Sequence, residues 1–199
     1  MPTRNKEVGS IREVVFNTMG GSSSGMEGIA KKEYRRWITM FMRAKPIHIE
    51  RCIFKDGYLG IKGCKKGESS PMIILNIYSL CALSDKRILW ERWKGLRSTI
   101  GIGLWCLIQN FNVVHEWEET RGVKGVLISD SIKMMEFNRF IDDVNLLDIP
   151  LSSKRFTWFN SSGNVVSRID KCLVNLEWLT LRPHSTQYVL NRSFHITIH

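Results

Sequence analysis

The chain has 199 residues, of which 43% are hydrophobic and 24% are charged. These fractions match ordinary globular domains, so they exclude a long disordered chain and a fibrous repeat. Its 29 lysines and arginines against 19 aspartates and glutamates give a net charge of +10, which favours a polyanionic partner, nucleic acid first.

Cysteine usage and hydropathy narrow the cellular setting. The five cysteines have irregular spacings without a Cys-x-x-Cys pair, which argues against a zinc knuckle and against a disulfide framework. We therefore expect reduced thiols in a nuclear or cytoplasmic protein. No apolar run reaches the roughly 18–20 residues of a membrane span, and the N-terminus lacks the apolar core of a secretory signal. We expect neither a membrane partner nor secretion.

The first part of the chain carries three predicted features. Residues 11–16 predict a short strand, and GGSSSGMEG at 20–28 predicts a Gly/Ser-rich loop. The basic stretch at 29–45 has apolar residues at helical spacing, so it predicts an amphipathic helix that Pro46 ends.

From residue 57 onwards, strand and helix patterns follow one another regularly. GYLGIKG at 57–63 predicts a strand, residues 65–71 predict a hairpin-like turn, and the continuous apolar run at 72–79 predicts a buried strand. Ser84 is expected to cap a helix that runs to about residue 98. The predicted inner side of this helix carries Ile88, Leu89, Trp93 and Leu96.

The remaining chain predicts one more long helix and several strands. A buried strand at 103–108 precedes a polar loop at 115–125 and a helix near 131–144. The inner side of that helix is predicted to carry Met134, Phe137, Phe140, Ile141 and Val144. A hairpin is predicted from strands at 156–160 and 165–174. A short helix is predicted at 176–181, and two strands are predicted at 186–190 and 194–198. This mixture predicts an α/β (α+β) layered domain with the apolar strands at its centre and the helices outside.

Four segments of the chain match the sequence motifs of one protein family, and they occur in the same order as in that family. They are ILNIYSLCALSDKRILWE (74–91), LWCLIQNFNVV (104–114), the stretch from MMEFNRF to SRIDKCLV (134–174) and SFHITI (193–198). In these segments the chain resembles the endonuclease/exonuclease/phosphatase superfamily. More narrowly, it is similar to the endonuclease domain of plant LINE-type (non-LTR) retrotransposon polyproteins.

The resemblance implies a partial αββα two-sheet sandwich. Residues 57–199 are expected to form the endonuclease/exonuclease/phosphatase-like domain, truncated at its C-terminal end. Residues 1–56 match poorly, and we expect them to hold a remnant of the first strand and helix. An internal deletion that joins residues near 45 to residues near 54 would account for the early strands that have no counterpart.

The ancestral reaction that the resemblance implies is metal-dependent hydrolysis of phosphodiester bonds in DNA. Such a reaction needs a hard cation, Mg²⁺ by resemblance, which carboxylates hold, and a group that deprotonates water. Asp170 would orient His195, and His195 would contact the scissile phosphate. Tyr78 would donate to phosphate, and Asn112 would help to hold the phosphate or the water. Asn17 matches the opening metal-site asparagine.

Plainer interpretations of three of these residues stay open. Asp170 could cap a turn, His195 could be a surface residue at the end of a strand, and Asn112 could be an ordinary turn residue.

Two further positions depart from the family pattern. Asn110 stands where the family has aspartate, and an amide cannot take a proton from water. Phe194 stands where the family has a second aspartate, and it cannot bind a cation. A metal-binding glutamate of the family has no counterpart here. Because loss of one oriented general base costs about 10²–10⁴ in rate, the sequence predicts little or no hydrolysis.

His115 stands beside Glu116, Glu118 and Glu119 in the predicted polar loop. These residue types could form a metal cluster, or they could form a solvated acidic loop.

Three functions follow from the sequence. The first is a degenerate, inactive retrotransposon endonuclease-like domain. The second is a residually active Mg²⁺-dependent endonuclease with substitute ligands. The third is a non-catalytic basic module that binds nucleic acid, DNA first.

Overall fold

The computed structural model describes residues 47–55, 58–78, 81–123, 125, 127–152, 155–190 and 193–197. The predicted strand at 11–16, loop at 20–28 and helix at 29–45 lie outside the described residues, as does Asn17.

A six-stranded sheet forms the centre of the described chain. Its strands are β1 (Ile47–Lys55), β2 (Tyr58–Lys65), β3 (Met72–Tyr78), β4 (Leu104–Asn110), β6 (Leu147–Asp148) and β9 (Asp170–Val174). Their order across the sheet is β1-β2-β3-β4-β9-β6. Only the β3–β4 pair is parallel among these neighbours.

The two most apolar strands occupy the middle of this sheet, as their sequences predict. On β3, Ile73 and Leu75 belong to the core cluster on the helix side, while Ile74 alternates to the other face and is also buried. Cys106 on β4 is buried in the same way. A strand that is buried on both faces needs a continuous apolar run, which explains the patterns at 72–78 and 104–108.

Two long helices cover one face of the sheet. They are α1 (Leu83–Ile100) and α2 (Ile128–Asp143), and aromatic side chains join them. Trp90 of α1 stacks on Phe140 of α2 with ring centroids 5.4 Å apart. Trp93 meets Trp105 of β4 edge to face at 5.6 Å, so both helices and the sheet share one aromatic core.

Helix α1 differs from its prediction in two respects. It begins after Ala82, and Ser84 lies within its first turn without acting as the cap. Ile88 is 52% exposed, whereas it is predicted to face inward. The reason is that Lys86, Leu89, Trp90 and Trp93 form the inward stripe at helical spacing, which leaves residue 88 on the outer side.

Smaller elements complete the described chain. A three-stranded sheet has the order β5-β8-β7, with β5 at Thr120–Arg121, β7 at Trp158–Phe159 and β8 at Val166–Ser167. A short helix, α3 (Leu176–Leu181), precedes the antiparallel pair β10 (Thr186–Leu190) and β11 (Ser193–Thr197).

The single strand predicted at 165–174 is in fact two strands that belong to different sheets. The ladder breaks between Ser167 and Asp170. There the backbone N–H groups of Ile169 and Asp170 both donate to the Thr157 hydroxyl at 3.1 Å instead of to a neighbouring strand. The Thr157 hydroxyl therefore satisfies the two backbone N–H groups at the point where the chain passes from the small sheet to the large one.

Strand β1 has no counterpart among the predicted elements. It pairs with β2 from Ile47↔Lys65 to Lys55↔Tyr58, and a register shift falls between Ile49 and Arg51. Such a bulge interrupts the alternation by which a strand is detected in sequence. A Cβ at Gly63 would lie 2.3 Å from the His48 carbonyl oxygen, so glycine is needed for the close approach of β1. The domain division at residue 56 stays a prediction.

Candidate functional site

Three sequence-predicted site residues lie side by side at one end of the large sheet. Tyr78 pairs with Asn110 across β3 and β4, and Asn110 pairs with Asp170 across β4 and β9. Because neighbouring strands are about 4.8 Å apart, the three backbones form one continuous row. We call this row the site rung. The register thus brings together residues that are up to 92 positions apart (170 − 78).

A tight turn follows the site rung on β4. The backbone N–H of Asn112 donates to the Asn110 side-chain oxygen at 2.8 Å, and Asn112 has a φ of 50°. Asparagine tolerates this left-handed conformation and commonly forms such side-chain turns. The Phe111 N–H donates to the Ile169 carbonyl at 2.9 Å, which ties the turn to the chain that leads into Asp170. The turn position of Asn112 agrees with its plainer interpretation, and its contact with phosphate stays a prediction.

Lys86 on α1 reaches this turn from the core side. Its side chain is 0% exposed, and its Nζ donates to the Phe111 carbonyl at 2.6 Å. Burial lowers the pKa of Lys86 to about 8, with the charge of Lys133 acting in the same direction and Cys81 opposing it. The Phe111 ring packs against Phe137 with centroids 5.3 Å apart. Helix α1 and the aromatic core therefore both hold the turn.

Asp170 is a half-buried carboxyl with a fixed partner. Burial raises its pKa above the ordinary value, and this effect outweighs the hydrogen bond with Thr157 and the charge of Lys171, which both lower it. Since the Thr157 hydroxyl also accepts from the Asp170 N–H, the carboxyl is held close to the strand end. Asp170 therefore carries its negative charge less readily than an exposed aspartate.

Two acidic and two basic side chains form a buried group beside the site rung, which we call the ion cluster. It consists of Glu119, Asp148, Arg168 and Lys171. Lys171 is 0% exposed, and its Nζ lies 2.6 Å from a Glu119 oxygen and 3.4 Å from an Asp148 oxygen. Arg168 donates to the same two carboxylates at 2.6 and 2.9 Å. Each charge in the ion cluster thus has two opposite partners.

The two acids of the ion cluster respond differently to their surroundings. Burial raises the pKa of Glu119, but the charges of Lys171 and Arg168, the Lys171 bond and the His115 N–H together hold it below its ordinary value. For Asp148 burial prevails, with help from the charge of Glu119, and its pKa is raised.

Neither sequence interpretation of the acidic loop describes Glu119. It is not in solvent, because its carboxylate binds Lys171, Arg168 and the backbone N–H of His115. It is not in a metal cluster of the described residues either. A signal for the ion cluster was present in DKCLV at 170–174, where a lysine stands inside a buried strand. A lysine that is fully buried needs hydrogen-bonding partners inside the protein, and carboxylates are the usual ones.

His195 and Phe194 lie on β11, where their backbones pair with Tyr188 and Val189 of β10. Strand β10 is joined to Asp170 by Gln187, whose side-chain N–H donates to the Asp170 carbonyl at 3.2 Å. The proposed contact between the side chains of Asp170 and His195 stays a prediction.

The described residues do not supply the donor set that Mg²⁺ prefers. Several oxygen ligands, carboxylates among them, are typical of such a site. At the site rung the only carboxylate among described side chains is Asp170, which Thr157 binds, and the Asn110 oxygen accepts the Asn112 N–H. Across the described ranges, no three His, Cys, Asp or Glu side chains are grouped to hold a metal ion.

Comparison with solved structures finds several chains of similar shape. The endonuclease domain of TRAS1, a telomere-specific non-LTR retrotransposon, has a TM-score of 0.50 and 11% identity, over 66% of this chain and 56% of that one. A mannosyl-6-phosphatase from Bacteroides thetaiotaomicron has a TM-score of 0.42 and 12% identity, over 75% and 62%. An endonuclease/exonuclease/phosphatase family protein from the same organism has a TM-score of 0.36 and 14% identity, over 75% and 59%. No protein-family model and no curated protein matches the sequence.

These identities establish the fold alone. The likeness to the TRAS1 domain shows that the chain has the endonuclease/exonuclease/phosphatase-type fold that its motifs predict, as a partial two-sheet sandwich with helices. The chain spans less than two thirds of the length of each of the three solved chains. None of the helices within the described ranges is long and apolar enough to cross a membrane.

Removal of one cation should unbalance the ion cluster. We expect Lys171→Met to lower the free energy of unfolding by about 3–5 kcal/mol at pH 7 in urea denaturation, because two buried carboxylates then share Arg168. Lys66→Met removes the same charge from an exposed turn and should change it by less than about 0.5 kcal/mol. Since the folded pKa of Glu119 lies below its ordinary 4.5, its stabilisation is present above that pH and is lost as the pH falls. Equal urea midpoints for Lys171→Met and wild type would contradict this role.

Because the ammonium of Lys86 is buried, we expect the free energy of unfolding to depend on pH between about 8 and 10.5. Its pKa is about 8 in the folded chain and about 10.5 in the unfolded chain, so the unfolded chain binds more protons between these values. The free energy of unfolding of wild type, relative to Lys86→Met, should therefore rise with pH from about 8 to 10.5, by at most about 1.4 kcal/mol per pH unit. A difference that stays flat over this range, in parallel denaturation curves, would rule the effect out.

Proposed function

We propose that this chain is a nucleic-acid-binding domain built on a phosphodiester-cleaving fold, in which metal-dependent hydrolysis of DNA has been lost. The observation that carries the proposal is the site rung itself. Asn110 lies between Tyr78 and Asp170 in the position where the resemblance requires a carboxylate. The three residues of the site rung are aligned, but its central residue, Asn110, carries no negative charge.

The chemistry of the site rung supports loss of hydrolysis. The Asn110 amide carries no charge, and its oxygen already accepts the Asn112 N–H at 2.8 Å. The carboxyl of Asp170 binds Thr157, and burial raises its pKa. The Asn110 amide can neither take a proton from water nor supply the negative charge that a carboxylate gives to a Mg²⁺ site, and a carboxyl with a raised pKa carries its charge for a cation less readily.

An exposed aromatic ribbon supports binding of nucleic acid. Residues 156–167 form a hairpin that includes β7 and β8, and we call it the aromatic hairpin. Trp158 and Phe159 on it are 42% and 57% exposed. Successive residues of a strand point to opposite faces, so both faces of β7 present an aromatic ring to solvent. Such rings can stack on bases of any sequence.

Cations flank the aromatic hairpin. The guanidinium carbons of Arg121 and Arg155 lie 5.8 and 5.7 Å from the centroid of the Phe156 ring. Both arginines are exposed, so their charges can reach phosphate groups while the ring supports them.

The aromatic hairpin is also joined to the site rung. Thr157, the residue before Trp158, binds the backbone and the carboxyl of Asp170. A strand of nucleic acid that stacks on Trp158 would therefore lie next to the rung. The proposed binding surface would then lie beside the site rung, where the resemblance places phosphodiester hydrolysis.

The loss of hydrolysis can be tested by plasmid nicking. With Mg²⁺ present, we expect the wild-type chain and His195→Ala to convert supercoiled plasmid at the same background rate, because the rung lacks its central carboxylate. A commercial Mg²⁺-dependent nuclease in the same buffer serves as the positive control. Robust turnover by wild type that His195→Ala abolishes would overturn the proposal and favour the residually active endonuclease.

Binding can be tested by fluorescence anisotropy with a labelled single-stranded oligonucleotide. Trp158→Ala and Phe159→Ala should each weaken binding by about tenfold, since stacking on one base contributes roughly 1–3 kcal/mol. Leu181→Ala is the matched control, because Leu181 is equally exposed (57%) but lies on α3. Affinity should fall steeply with salt, and Arg155→Ala should reduce the slope by roughly one. Binding that is absent, or independent of salt, would contradict the proposal.

A further inference from the structure

We infer that Lys86 is a positioning residue for the nucleic-acid site: it holds the Asn110–Asn112 turn in shape from inside the core, at the expense of stability. This inference rests on the proposed function, because it takes the turn as part of the surface that contacts nucleic acid.

The first step is the place of Lys86 in the helix. It belongs to the inward stripe of α1 together with Leu89, Trp90 and Trp93, which all pack in the aromatic core. A stripe of this kind normally consists of apolar side chains. A lysine there loses its hydration, which makes the position costly for the folded chain.

The second step is what this lysine touches. Its Nζ donates to the carbonyl of Phe111 at 2.6 Å, across 25 residues of sequence. Phe111 is the middle residue of the turn, between the amide of Asn110 and the left-handed Asn112. The ammonium therefore binds the backbone of the turn itself.

The third step is the way in which the turn is held on its other sides. The Phe111 N–H binds the Ile169 carbonyl, and the Phe111 ring packs on Phe137. The remaining backbone group of Phe111 is its carbonyl, which accepts a hydrogen bond from Lys86. With both backbone groups and the ring bound, Phe111 fixes where Asn110 and Asn112 stand relative to Asp170.

A residue that serves only stability and a residue that positions a site predict opposite results on substitution. Methionine has a similar length and fits an apolar stripe without a charge to desolvate. If Lys86 were present for stability, Lys86→Met would destabilise the chain. If Lys86 positions the turn, Lys86→Met should leave the chain as stable or more stable while it impairs the site.

The experiment compares wild type, Lys86→Met and Lys66→Met at pH 7. Lys66→Met loses the same charge from an exposed turn, so it controls for a general effect of charge on binding. For Lys86→Met we expect a urea midpoint equal to or above that of wild type and an oligonucleotide affinity lowered about fivefold or more beyond the control, the effect of about one lost hydrogen bond. We also expect faster amide hydrogen exchange at Phe111 and Asn112, measured by NMR without nucleic acid.

The outcomes separate this inference from the proposed function. If wild type binds no oligonucleotide, the proposed function fails, and the exchange at Phe111 and Asn112 still tests the hold of Lys86 on the turn. If wild type binds and Lys86→Met binds equally well with unchanged exchange, the inference is overturned while the proposed function stands. A lowered urea midpoint with unchanged affinity would assign Lys86 to stability alone and would equally overturn it.

Discussion

The pairing of β3, β4 and β9 is the constraint on which the rest of the structure depends. The register of these strands aligns Tyr78, Asn110 and Asp170 at one end of the sheet. A shift by one residue would turn every side chain of the moved strand to the opposite face, so that residues such as Trp105 and Leu107 would leave the aromatic core. The packing of this core therefore also keeps the three residues of the site rung in one row.

Under the proposed function, this coupling lets the site rung keep its arrangement without a central carboxylate. Burial of β3 and β4 selects their apolar residues, and the aromatic core of α1 and α2 depends on them in turn. The residue at the end of β4 is subject to a weaker demand, since asparagine and aspartate both offer an oxygen to the N–H two residues ahead. Asn110 therefore satisfies the turn without placing a negative charge at the site rung.

Charge is distributed unevenly in this part of the molecule. The four members of the ion cluster bind one another beside the site rung and add up to no net charge. Arg121 and Arg155, by contrast, are exposed and lie over the half-buried Phe156 ring beside the aromatic hairpin. The ion cluster joins Asp148 of β6 and Lys171 of β9 to Glu119, just before β5, and Arg168, just after β8, whereas Arg121 and Arg155 face solvent.

The sequence by itself determined the elements whose residues are dictated by local pattern. The apolar runs at 72–78 and 104–108 and the helical stripe with Phe137, Phe140 and Ile141 were sufficient to predict central strands and an outer helix. These features depend on neighbours in sequence or on a face that is buried along its whole length, so a one-dimensional pattern records them. The fold type itself was predicted from the resemblance that the motifs carry.

The tertiary structure alone decided which polar residues are interior and where strands change sheets. The bulge in β1 interrupts its alternation, and at the break near Arg168 the backbone binds the hydroxyl of Thr157, which lies just before β7. Folding supplies Lys86, Glu119 and Lys171 with hydrogen-bonding partners inside the protein. These partners lie 25 to 52 residues away along the chain. Whether a charged side chain faces water or a partner in the interior depends on such a distant contact. A local sequence pattern does not record that contact.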